Sequence, residues 1–167
     1  SLFPSGNPLY RTHMSRLFHP NDLLSKNLAE GSTRRDPLPA GEVLAQISEL
    51  KFSDGTVKKQ GSPNFGMPWS RLDCKLEITD PEYLAQVPGG LDKATTTLGI
   101  MLDMDNGQIQ MGPNKNIRLN RLREAAGVNG QPLGALMGQF IRISIIHKPH
   151  PTESDVVMDE VSAFTKA

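Results

Sequence analysis

Beyond residue 38, hydrophobic and polar positions mostly alternate with period two, the period of half-buried strands. Val43, Ala45 and Ile47 alternate with Glu42, Leu44, Gln46 and Ser48, predicting a strand over Gly41–Phe52. Asp54-Gly55 signals a turn, and residues 56–68, with Lys58, Lys59, Gly61, Pro63, Gly66 and Pro68, read as a loop. Over Ser70–Thr79, Leu72, Cys74, Leu76 and Ile78 fall on one face, and Arg71, Asp73, Lys75 and Glu77 on the other. One dry and one wet face belong to an antiparallel sheet. Pro81 and Pro88-Gly89-Gly90 mark a second long loop. Thr95–Met104 is strand-like, Asp105-Asn106-Gly107 is a tight turn that tolerates positive φ, and Gln108–Met111 is the returning strand.

The period then changes. Ile117, Leu119, Leu122 and Ala126 form a helical stripe over Asn116–Ala126, with Asn114 or Asn116 to cap its start and Gly127 to close its end. Pro132–Met137 predicts one helical turn. Gln139–His147 returns to a strand with Ile141, Ile143 and Ile145 on one face. His147–Ser154 is a proline-broken loop, Asp155–Phe164 a last strand and Thr165–Ala167 a tail. Short antiparallel strands with one inserted helix predict a mainly β domain, a small barrel or sandwich, over residues 39–165.

Residues 1–38 keep no sustained period beyond a short helix over Asn21–Leu28. Pro4, Pro8, Pro20 and Pro37 interrupt them, and Arg11, Arg16, Lys26, Arg34 and Arg35 outnumber Asp22, Glu30 and Asp36. The expectation is an extended N-terminal arm that packs loosely or against another chain, a route to a homo-oligomer; an inert leader is the rival reading.

Composition narrows the choice. Hydrophobic residues make up 37% of the 167, which leaves room for ends outside the core. The 18 basic residues equal the 18 acidic ones, so attraction to a nucleic acid has to be local. The lone cysteine, Cys74, forms no staple and sits on the dry face of its strand, where thiol reagents should not reach it. No apolar run approaches the roughly 18 residues of a membrane span, and the start lacks the order of a signal peptide. An intracellular, cytoplasmic, soluble protein with no membrane partner is expected.

No P-loop, nucleophile elbow, zinc-protease motif or Rossmann fingerprint occurs. Asp103, Asp105, Asn106 and Gly107 miss the spacing of a calcium loop, and His147 with His150 lacks further ligands. No catalytic residue, metal or cofactor is therefore expected. What remains is aromatic and basic. Trp69, Arg71 and Lys75 share the wet face of their strand, and Lys58, Lys59 and Phe65 lie in the loop before it. Phe140 and Arg142 lie opposite the three isoleucines, and His147 and Lys148 begin the last loop. Aromatics for base stacking and cations for phosphate are how single strands are bound without base readout. Asp73 and Glu77 on the same face support the rival reading of an ordinary solvated strand, in which Trp69 packs beneath a loop.

Five segments, in order, resemble the phage-encoded single-stranded-DNA-binding-like proteins of the OB-fold class. They are Pro39-Ala40-Gly41-Glu42-Val43, the alternating Arg71–Ile78, the helix end Arg121-Leu122-Arg123-Glu124-Ala125-Ala126-Gly127-Val128, the Leu-x-x-Leu-x-Gly run from Leu133 to Gly138, and Asp159-Glu160-Val161-Ser162-Ala163-Phe164. The long N-terminal arm, the long Asp80–Lys93 loop and a C-terminus without a free acidic tail depart from the family's pattern. The resemblance implies an OB-like five-stranded antiparallel barrel with one helix between the third and fourth strands. It also implies sequence-tolerant binding of single-stranded DNA in phage replication or recombination, in the host cytoplasm and without catalysis. The rivals are a virion or interaction component, with the barrel as scaffold and the arms as ties, and an enzyme.

Overall fold

A computed structural model describes residues 18–32 and 34–167. The chain divides between Arg35 and Asp36 into two units. In the first, helix α1 (Pro20–Ser25) opens on a proline, which suits a first turn because its missing N–H would have no intrahelical partner there. The residues described from Phe18 to Arg35 are all exposed. The expectation of an arm otherwise falls largely on residues 1–17, outside the described residues.

The second unit is mainly β. Strands β1 (Gly41–Thr56), β2 (Pro68–Ile78), β3 (Ala94–Leu102), β6 (Phe140–Pro149) and β7 (Val157–Lys166) form one antiparallel sheet in the order β3-β2-β1-β6-β7. Strands β4 (Met104–Asp105) and β5 (Gln108–Ile109) make a separate hairpin around Asn106-Gly107. Helices α2 (Pro81–Leu84) and α3 (Ile117–Ala125) follow β2 and the small hairpin respectively, and a 3₁₀ turn (Leu133–Leu136) leads into β6. Strand β3 and strand β7 are the sheet's edges, and no ladder joins them among the described residues.

Strand β1 organises the sheet. Its first half pairs with β6, from Gly41 opposite Ile145 to Gln46 opposite Phe140. Its second half pairs with β2, and the register shifts between Ile47 and Glu49. At that bulge Gly138 N–H donates to Ile47 O at 2.7 Å, and Ile47 N–H to Gln139 O at 2.8 Å. A bulge adds a residue and flips parity. The buried side chains therefore run Val43, Ala45, Ile47 before it, while Leu50 and Phe52 turn to the same face after it.

The dry face of β2 is buried as expected, together with Leu98, Ile100, Ile141, Ile143 and Ile145. Helix α3 adds Leu119 and Leu122 to this core, but Ile117 from the expected stripe stays 47% exposed. The helix stops on Gly127 at φ +76°, where Gly127 N–H bonds Glu124 O and Val128 N–H bonds Arg123 O. Its start is held differently from a simple cap. Asn116 is buried at φ 49° and turns its side chain outward from the helix: Oδ1 accepts from Asp103 N–H at 2.8 Å, and Nδ2 donates to Asp103 O and Gln110 O.

Several expected boundaries move. Asp54-Gly55 does not turn, because β1 continues to Thr56 and Gly55 faces Trp69 across the ladder. The glycine serves close packing: a Cβ there would lie 2.7 Å from the indole. His147 and Lys148 are not in a loop, since β6 continues to Pro149 in pairing with β7. The last strand likewise extends through Lys166, where a tail was expected. Leu38 is core, not arm: its side chain is buried, its N–H donates to Asp159 Oδ2 at 2.8 Å and its carbonyl accepts from His147 Nε2 at 2.6 Å.

Candidate nucleic-acid interface

The outer face of the sheet carries five of the candidate binding residues, Trp69, Arg71, Lys75, Phe140 and Arg142. Trp69 and Arg71 of β2 stand at one end, opposite Gly55 and Ser53 of β1, and Lys75 lies further along β2, opposite Glu49. Phe140 and Arg142 lie on β6, opposite Gln46 and Leu44. Gln46 also faces Glu77, so Phe140 is level with Glu77, eight residues along β2 from Trp69. At about 3.3 Å per residue that is roughly 26 Å of strand. Trp69 and Phe140 therefore share a face but lie far apart on it, with Lys75 between their levels.

Trp69 and Arg71 are laid flat on the sheet by missing side chains. The indole covers Gly55, and the Arg71 aliphatic chain covers Gly99 on β3, where a Cβ would lie 3.2 Å from Arg71 Cδ. The Arg71 guanidinium stands 5.4 Å from the indole centroid. Arg71 Nε lies 2.7 Å from Asp73 Oδ1 as an ion pair not aligned as a hydrogen bond, and the Arg71 terminal nitrogen donates to Asp73 Oδ2 at 3.4 Å. Ser53 Oγ donates to the same carboxylate at 3.1 Å. Arg71 is thus a partly neutralised cation that props the half-buried indole.

The loop of residues 57–67 is different in kind. Val57 N–H donates to Met67 O and Gly66 N–H to Val57 O, so the ladder continues into its base and projects the tip. Between Gly55 and Ser70 the chain holds Lys58 and Lys59 and no carboxylate. Both lysines are exposed, and among the described residues neither has an ion pair. Phe65 beside them is 56% exposed. Lys75 is also exposed without an ion pair.

His147 and Lys148 are committed within the domain. His147 Nε2 donates to the Leu38 carbonyl, and Lys148 pairs with Glu160 at 2.8 Å. Three further apolar side chains near this end of the sheet are exposed: Met101 opposite Arg71 on β3, Met67 at the base of the loop, and Phe52 on the other face of the sheet, opposite Leu72. Phe52 was legible, since apolar residues change from odd to even positions between Ile47 and Leu50. Met101 was not, because only the β2–β3 register sets it beside Arg71.

Cys74 is fully buried, and burial first, with Asp73 second, pushes its thiol up to about 12. Among the described residues no group of His, Cys, Asp and Glu is placed to hold a metal ion, and no helix is long and apolar enough to cross a membrane. Comparison with family models and with curated proteins finds no match to this chain.

Proposed function

We propose that this domain is an OB-like, partly open barrel that binds single-stranded DNA without reading its sequence and performs no chemistry on it. The observation that carries the reading is the carboxylate-free loop at the end of the β1–β2 ladder, where Lys58 and Lys59 have no ion pair among the described residues and Phe65 is exposed, in the same hairpin as the Trp69–Arg71 pair. The pairing order, with a long β1 shared between β2 and β6 and a helix before the fourth long strand, supports the OB-like description. The five segments that resemble phage-encoded single-strand-binding proteins point to a role in phage replication or recombination. Phosphates would meet Lys58, Lys59 and Lys75, and bases would stack on Phe65 and Trp69. The exposed Met67 and Met101 favour one rival, a scaffold that docks other proteins through the same end of the sheet.

Fluorescence anisotropy with oligo-dT and with duplex DNA at two salt concentrations tests the proposal. Binding to the single strand should dominate and fall with salt. Phe65→Ala should weaken it by about 1–3 kcal/mol while leaving the melting temperature unchanged. Absence of single-strand binding, or equal binding to duplex, would sink the reading.

A further inference from the structure

Arg118 of α3 bridges the seam between β3 and β7, which no ladder closes among the described residues. Arg118 donates to Gly99 O on β3 at 2.7 Å, and its guanidinium stands over the Phe164 ring of β7, 5.8 Å from the centroid. Beside this bridge an open groove of about 810 Å³ runs between α3 and Ser162–Lys166 of β7. Ile117, Ala125 and Phe164 supply apolar surface to it, and Arg121, Lys166 and Glu124 supply charge. Arg121 and Lys166 are exposed and have no ion pair among the described residues. Among the described residues β7 pairs only with β6, and the edge beyond it carries no ladder.

We infer that this groove docks an extended acidic peptide of a partner protein. Its carboxylates meet Arg121 and Lys166, separate apolar side chains lie on Ile117 and on Ala125, and its backbone runs along the open edge of β7. Three features choose a peptide over a nucleic acid. A strand edge offers N–H and C=O groups that another backbone can match. The apolar surface calls for side chains that a phosphate chain lacks. Glu124, set among two free cations, repels a continuous polyanion more than a peptide of spaced carboxylates. The site shares no residue with the proposed DNA interface, so each can fail without the other.

The test titrates the full chain against a short fluorescein-labelled peptide of alternating Asp and Leu, and against oligo-dT. The peptide should bind saturably, with amide shifts at residues 117–125 and 162–166. A control peptide with Lys in place of Asp should not bind. The double variant Arg121→Glu, Lys166→Glu should melt like the parent and bind the peptide at least about tenfold more weakly, with oligo-dT affinity changed by less than about twofold. No binding of the Asp–Leu peptide, or shifts elsewhere, overturns the inference. So does an equal loss for oligo-dT, which would make the groove a nucleic-acid track.

Discussion

Removing both loop cations, Lys58→Ala with Lys59→Ala, should change the salt dependence of oligo-dT binding by a calculable amount. Each phosphate neutralised on a single strand contributes a slope of about −0.7 to log Kobs against log[salt], so losing two contacts should flatten the slope by about 1.4. Between roughly 50 and 200 mM salt, the parent should therefore lose about sevenfold more affinity than the variant. Both side chains are exposed and without an ion pair among the described residues, so stability should change by no more than about 0.5 kcal/mol. That separation makes the experiment decisive. Anisotropy titrations across four salt concentrations give the slope, and a thermal melt confirms the fold. A variant with the parent's slope would show that neither lysine meets a phosphate, and the loop would lose its place in the interface.

Trp69→Ala should act on both axes: loss of its packing on Gly55 and its contact with Arg71 should cost about 1–2 kcal/mol of stability, and loss of stacking about 1–3 kcal/mol of affinity. A lower melting temperature with unchanged oligo-dT affinity would make it a structural residue only. Asn116→Ala removes three buried side-chain hydrogen bonds and places alanine at φ 49°, so denaturant unfolding should show a loss of about 3–4 kcal/mol. A loss below about 1 kcal/mol would mean that water replaces those bonds. Cys74 should resist thiol reagents at pH 8 until the chain unfolds. Its raised pKa has a further consequence: above pH 9 the unfolded chain releases a proton that the folded chain keeps, so stability should fall as pH rises toward 12, by at most about 1.4 kcal/mol per unit. Cys74→Ala should flatten that decline, and an identical pH profile would contradict the burial.

The strand faces were readable from residue order alone. Leu72, Cys74, Leu76 and Ile78 are buried, as are Ile141, Ile143 and Ile145, because a period of two leaves a strand one way to hide its apolar side. The stop at Gly127 was readable for a similar reason, since a helix end that needs positive φ favours glycine. Pairing decided the rest. Asp54-Gly55 carries the letters of a turn, yet the approach of Trp69 from β2 makes that glycine a gap to be covered. Asn116 has the letters of a cap, yet the proximity of Asp103 and Gln110 gives its side chain three other partners. His147 and Lys148 read as a ring and a cation available to a ligand, and the fold supplies each with a partner distant in sequence, Leu38 and Glu160, whereas Arg71's partner Asp73 lies two residues on along its own strand. Local patterns determine which way a side chain points, because the backbone period is local. What it meets there depends on strands distant in sequence, so the availability of Lys58, Lys59 and Phe65, and the groove beside α3, were decided only by the tertiary structure.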